Sequence, residues 1–221
     1  MIKAKYLLVI LSLVLTGTAF SQPKTVPVSS SQSYALKFSS LGIGLDGSTN
    51  ISKNLNARVG GQFFAFNVNG GKTGDDFLYT AETKLLSFSA LVDYFPGGSI
   101  FKISGGLLLN LNKVETKLVP GQSYVVNGKT YDKSNLGDIT TTTEFTKVNP
   151  YLGIGIGNPL NYKKFGFTMD LGTMYQFEPQ VTMSGTGLIK PTETQAGTVQ
   201  SNISWFKAYP VVMFGLTYKF N

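Results

Sequence analysis

Cysteine and histidine are both missing from this 221-residue chain, and arginine occurs once, as Arg58. Without cysteine there are no disulfides and no thiolate chemistry, and a chain of this length buries enough surface, or makes enough lipid contact, to hold together without staples. Without histidine there is no imidazole, the usual general base near neutral pH and the commonest metal ligand. Serine-histidine triads, histidine-metal centres and helical metalloprotease sites are therefore excluded. Charge is also scarce, at 14% of residues. The formal charge of +7 includes Lys3 and Lys5, leaving +5 without them, and the lysines form no basic run. A phosphate-tracking surface concentrates Lys and Arg, so no nucleic-acid partner is expected. No constellation calls for a cofactor, a metal or a catalytic residue, and the chain is expected not to be an enzyme.

Long apolar runs are short in supply as well. The only one is residues 6–15, preceded by Lys3 and Lys5 and followed by small residues. That pattern predicts a secretory signal peptide over residues 1–21. Small-x-small cleavage sites stand at Gly17-Thr18-Ala19 and Ala19-Phe20-Ser21, and the second leaves Gln22 as the new N-terminus. The apolar core is shorter than the roughly 20 residues of a membrane-crossing helix.

What the chain has instead is 25 glycines, 16 phenylalanines and 11 tyrosines, together with alternation of period two, the mark of a half-buried strand. In residues 100–112, Phe101, Ile103, Leu107, Leu109 and Leu111 oppose Lys102, Ser104, Leu108, Asn110 and Asn112. In 165–176, Phe165, Phe167, Met169, Leu171 and Tyr175 oppose Gly166, Thr168, Asp170, Gly172 and Gln176. In 84–94, Leu86, Phe88, Ala90, Val92 and Tyr94 oppose Leu85, Ser87, Ser89, Leu91 and Asp93; in 55–65, Leu55, Ala57, Val59, Gly61 and Phe63 oppose Asn56, Arg58, Gly60 and Gln62. Two runs use glycine as the second face: Leu41, Ile43 and Leu45 around Gly42 and Gly44, then Leu152, Ile154 and Ile156 around Gly153 and Gly155. The last run, 206–220, puts Ala208, Val212, Phe214, Leu216, Tyr218 and Phe220 on one side.

The links between runs alternate short and long: 48–54, 69–82, 96–99, 118–145, 158–164 and 178–204. Short periplasmic turns and long outer loops are the pattern of outer-membrane barrels. The expected fold is therefore all-β, a closed antiparallel transmembrane barrel over residues 22–221, with short periplasmic turns and three long extracellular loops. Seven runs are clear, and single-chain barrels carry an even number; eight strands are expected, the eighth from 25–36 or from 180–187. Tyr94, Phe95, Phe101, Tyr162, Phe165, Tyr175, Phe177 and Trp205, near the run ends, suit interfacial girdles. The expected partners are outer-membrane lipid and lipopolysaccharide, the scattered lysines suiting its anionic groups.

If the apolar faces meet lipid, the other faces line a lumen just wide enough for side chains to fill. There the sequence puts Arg58, Lys102, Lys207 and Lys219 with Asp93 and Asp170. Buried charges demand partners, so Arg58, Asp93, Lys102, Asp170 and Lys207 are expected to form an internal network. A proton or ion path is the rival use of the same residues. Two more alternatives stay open on alternation alone: a small conduit for apolar solutes, and a soluble lipocalin-like barrel with its greasy faces inward.

Gly42-Ile43-Gly44-Leu45-Asp46-Gly47 matches the dinucleotide pattern, but no helix follows it to receive a pyrophosphate. Asn127-Gly128 within 124–131 signals a type I′ hairpin. Thr140 to Thr143 and the Ser/Thr-rich 182–204 suit exposed rims, and Asp75-Asp76 reads as solvated charge.

The chain resembles a family of small, largely uncharacterised bacterial outer-membrane β-barrels. The resemblance rests on the Phe95-Pro96-Gly97-Gly98 turn and the strand 101–107, the hairpin 123–131, the stretch 150–159, and the ending from Tyr209-Pro210-Val211-Val212 through 216–220. It implies a fold and a location but no activity. Outer-membrane enzymes of this size work with a histidine, which is absent here. The last strand, with Phe214, Leu216, Tyr218 and Phe220, looks like the signal read by the barrel-assembly machinery, except that Asn221 follows the phenylalanine.

Overall fold

A strand set in an apolar surrounding keeps its backbone satisfied only if both its edges are paired, and each of the eight strands of the ring in this chain finds two neighbours. A computed structural model describes residues 31–72 and 74–220; the expected leader with both cleavage sites, and Asn221, lie outside them. In chain order the elements are β1 (Gln32–Ser39), β2 (Gly42–Ser52), β3 (Leu55–Gly70), β4 (Phe77–Tyr94), β5 (Phe101–Asn110), β6 (Lys113–Pro120), β7 (Tyr124–Val126), β8 (Lys129–Tyr131), α1 (Lys133–Leu136), β9 (Ile139–Glu144), β10 (Val148–Ile156), β11 (Phe165–Tyr175), β12 (Gln180–Gly185), α2 (Ala196–Ile203) and β13 (Ala208–Phe220). The antiparallel ladders run β1-β2-β3-β4-β5-β10-β11-β13, and β13 pairs back onto β1, with Gln32 opposite Phe220 and Ser39 opposite Met213. Eight strands thus close a ring with no free edge, which satisfies the backbone throughout.

The eighth strand is β1, which overlaps the weak stretch 25–36, and not 180–187. Its inward residues Ser33, Ala35 and Lys37 alternate with outward Tyr34, Leu36 and Phe38. The connection from β1 to β2 is only residues 40–41 and stands at the same end as the three long connections, so one outer link is a tight turn.

The large apolar side chains point outward all the way round: Leu36, Leu45, Val59, Val92, Ile103, Leu152 (64% exposed), Leu171 and Leu216 form a continuous belt. This arrangement is the reverse of a soluble lipocalin-like barrel, whose greasy faces point inward. Ring strands β10, β5 and β11, of 9, 10 and 11 residues, match the roughly 9–11 residues of a tilted strand crossing a bilayer.

Above the ring the long links are built, not loose. The first half of β4 leaves the ring and pairs with β6, from Phe77 opposite Pro120 to Lys84 opposite Lys113. β6 pairs with β9 and β9 with β12, so residues 64–70 of β3, with β4, β6, β9 and β12, make a five-stranded sheet standing on one side of the mouth. Residues 118–145 and 178–204, expected as loops, thus contain β9, β12 and the end of β6, short strands whose pairing joins segments far apart in the chain. The threonines 140–143 belong to β9, and Asp75 and Asp76 are engaged locally, by the Lys72 N–H at 2.7 Å and the Gln122 amide at 2.8 Å. Asn127 and Gly128 both adopt positive φ, 52° and 74°, in the β7-β8 hairpin, as a type I′ turn requires. The matched glycine pattern at 42–47 lies in strand, with no helix after it.

Along β4 the outward face changes character. Leu86, Phe88, Ala90, Val92 and Tyr94 belong to the belt, whereas Thr80, Glu82 and Lys84 above them are polar, with Lys84 bridged to Glu82 at 3.4 Å. Of the expected girdle residues, Tyr94, Phe101, Phe165, Tyr175, Phe177 and Trp205 are exposed. Phe95 is buried at the short-turn end, and Tyr162 is half-buried with its ring where a side chain at Gly166 would stand. Neither belongs to the girdle.

Candidate functional site: a closed charge ring in the lumen

Inward positions carry charge at one level of the barrel. Following the ring of strands, β1 supplies Lys37, β2 Asp46, β3 Arg58, β4 Asp93, β5 Lys102 and β11 Asp170, while β10 and β13 supply Gly155 and Gly215. The signs alternate around the whole circuit. All six charged side chains are 0–2% exposed, and three positive charges meet three negative ones, so the cluster is formally neutral.

Asp170 is the hub. It lies 2.6 Å from the Lys102 ammonium, 3.2 Å from the Lys37 ammonium and 3.2 Å from the Arg58 guanidinium. Arg58 also reaches Asp93 at 3.0 Å and Asp46 at 3.4 Å. Lys102 lies 3.5 Å from Asp93, and Lys37 3.7 Å from Asp46. Two neutral groups add to the pairing: the Ser104 hydroxyl donates to Asp93 at 2.6 Å, and Lys37 donates to the Thr168 hydroxyl at 3.0 Å, while Arg58 Nε and Asp46 Oδ1 find no hydrogen-bond partner among the described residues. Desolvating a charge costs several kcal/mol even after relaxation, and this dense mutual pairing offsets it.

Glycines make the crowding possible. A Cβ at Gly155 would stand 2.8 Å from Cε of Lys102, and one at Gly215 would stand 2.9 Å from the same carbon of Lys37. Gly60 similarly leaves room for the Asp46 carboxylate, and Gly153 and Gly172 flank the Tyr151 hydroxyl. Long side chains set against glycine fill a narrow barrel as small and large residues alternate.

An apolar plug sits on the mouth side of the charges, made of Leu41, Leu91, Leu108, Tyr151, Met174, Val211 and Met213. Leu41 was expected on the outer face with Ile43 and Leu45. It is instead 1% exposed, because it occupies the two-residue turn and is not bound to the strand alternation. At the short-turn end the Asn56 amide donates to Asn158 at 3.1 Å, and Phe95 and Leu160 are buried.

The structure brings together four of the five residues expected in the network: Arg58, Asp93, Lys102 and Asp170. Lys207 stands elsewhere. It precedes β13, is 41% exposed, and pairs with Glu178 at 2.7 Å on the outer rim; the Glu178 carboxylate holds its ammonium above the ordinary lysine range. Lys219 sits half-buried near the chain end, away from this level. Two members escaped sequence reading, Lys37 and Asp46. Lys37 lies in the strand with the weakest apolar signal, and Asp46 sat inside the glycine pattern; its place four residues from Gly42 on an inward parity was the available clue. Among the described residues no group of acidic side chains is placed to hold a metal.

Neither a protein-family model nor a curated protein sequence matches the chain. Solved structures do. The chain is similar to CarO2 of Acinetobacter baumannii, at TM-score 0.57 and 14% identity over 86% of this chain and 98% of that one. It is similar to CarO of the same organism at TM-score 0.55 and 14% identity, over 90% and 100%. A major outer membrane protein from Thermus thermophilus aligns at TM-score 0.46 and 14% identity, over 87% and 100%. The two CarO structures, with the ring of ladders described above, establish the architecture: an all-β barrel of antiparallel strands closed into a ring.

Proposed function

We propose that the chain is an integral outer-membrane β-barrel, exported by its leader, whose lumen is closed and whose sheet extension works at the cell surface without catalysis. One observation carries this reading: an apolar belt surrounds a neutral ring of six buried charges, so the oily core and the polar exterior of a soluble protein have changed places. Hydrocarbon is the solvent that rewards this inversion. Filled by paired charges and capped by the Leu41 plug, the lumen supports a structural role for the network over a proton or ion path.

The polar face of the extension supports contact with lipopolysaccharide. Lys84, Lys113 and Lys117 project there directly above the belt, interleaved with Glu82, Glu115 and Asp138. On β13, Phe214, Leu216 and Phe220 face outward with Tyr218 beside them, which suits a terminal strand read by assembly machinery.

The test is fractionation followed by electrophysiology. The processed chain is expected in outer membranes, to need detergent for extraction, and to migrate faster unheated than heated on a denaturing gel. In planar bilayers it is expected to give no steady conductance. A monodisperse monomer in plain buffer would overturn the membrane reading, and steady single-channel current would overturn the closed lumen.

A further inference from the structure

The rim of the barrel is uneven. β1 and β2 meet in the turn 40–41, while β3 beside them continues to Gly70. The β2-β3 ladder begins with Ile43 opposite Phe63, so among the described residues nothing pairs with 64–70 on the side above the turn. Across the turn, Phe206 and Tyr209 close in from the start of β13, and the Tyr209 hydroxyl donates to the Ser40 carbonyl at 2.7 Å. Between these walls lies a cleft of about 570 Å³, within the roughly 300–1,000 Å³ of small-molecule sites.

Its lining joins two surfaces that a level rim would keep apart. Phe38 and Ile43, at the sill, belong to the outward belt; Phe64, Phe66, Leu85 and Val114, at the back, face the mouth. No charged side chain lines it. Several of its polar groups are already engaged: the Asn112 side-chain oxygen accepts from the Leu86 N–H at 2.9 Å, the Gln176 amide donates to the Phe206 carbonyl at 3.0 Å, and Ser39 bonds Gln62. The cleft ends blindly. Gln176 and Asn112 line it, and further in on the same inward faces Met174 and Leu108 belong to the plug.

We infer that this cleft binds one fatty acyl chain, which enters from the outer leaflet over the turn 40–41 and leaves its head group outside. The occupant follows from continuity and rests on the membrane reading above: the sill is part of the surface that there contacts hydrocarbon, and no charged side chain stands on the walls to pair with a charged ligand. Phe64 and Phe66 are each 43% exposed without an occupant, and an acyl chain laid against them removes that apolar surface from water. The blind floor makes the site a holder of the chain and not a route through the barrel.

The test reconstitutes the full barrel in phosphatidylcholine vesicles with a photoreactive diazirine at the end of a palmitoyl chain. One arm uses the free fatty acid and the other a diacyl phospholipid, which distinguishes the two sources of the chain. Adducts are expected at Phe64, Phe66, Leu85 or Val114 that saturate and are displaced by the unlabelled compound. Belt adducts at Leu152 and Ile154 are expected to do neither, and they report insertion independently of the cleft. Leu85→Trp, which fills the cleft, is expected to abolish the first set and spare the second. Displacement in the unaltered protein decides the question even if that variant does not fold. Adducts confined to the belt in both arms, or cleft adducts that unlabelled chains do not displace, overturn the site.

Discussion

Lys102 lies directly across the ladder from Gly155, and its stem occupies the space that a side chain at Gly155 would need. The same relation holds between Lys37 and Gly215. Two of the three cations in the lumen therefore rest on strands that contribute no charge of their own, and the glycines of β10 and β13 are as much part of the network as its charged members.

Gly155→Val is accordingly expected to destabilise the barrel by about 1–3 kcal/mol, the usual cost of overpacking. The Met169 carbonyl, 2.5 Å from the added Cβ, cannot rotate away as the lysine could. Gly105→Val, on the outward face where the nearest atom is at 3.9 Å, is expected to leave stability unchanged. Urea unfolding in lipid vesicles, followed by Trp205 fluorescence, reads both.

Asp170→Asn removes the anion shared by Lys37, Arg58 and Lys102 and leaves an uncompensated buried positive charge. A loss of about 3–5 kcal/mol is expected. Combining it with Lys102→Met restores neutrality and is expected to recover part of that loss. Lys207→Met, on the outer rim, is expected to leave the unfolding midpoint where it was. Equal effects for Asp170→Asn and Lys207→Met would show that the ring does not stabilise the barrel.

Acid is expected to open the sheet extension before the ring. Hydrogen bonds from Lys117 and Thr186 hold the Asp138 carboxyl below its ordinary value of 3.8. Because the folded value is the lower one, the contribution is fully present above pH 3.8 and is lost as pH falls through the folded value. Hydrogen exchange at 137–140 and 185–187 is expected to quicken below that pH while the ring strands stay protected. Uniform exchange across both regions would contradict the local origin of the effect.

The faces of seven ring strands were legible because alternation is local: Leu86 to Tyr94 and Phe101 to Leu109 declare their outward sides without knowledge of any partner. β1 was harder, since Ser33 and Ala35 make its inward side small instead of plainly polar. β6, β9 and β12 were not legible as strands, because their pairing with β4 and with one another depends on contacts between segments far apart in the chain. Lys207 misled for a related reason. Parity placed it inward, but the run 206–220 begins as strand only at Ala208, and before that point parity has no meaning.

The amino-acid order by itself determined that the chain would be all-β, that each ring strand would have one oily side, and that no imidazole or thiol chemistry would occur. Those properties reside in residue types and in a period of two, which need no knowledge of neighbours. Only the tertiary structure decided that the signs alternate around the circuit, that Lys37 and Asp46 complete it, and that a two-residue turn lowers the rim beside a raised sheet. Which side chains meet across a lumen depends on the register of eight ladders and on where the ring closes, and both are set by all the strands together.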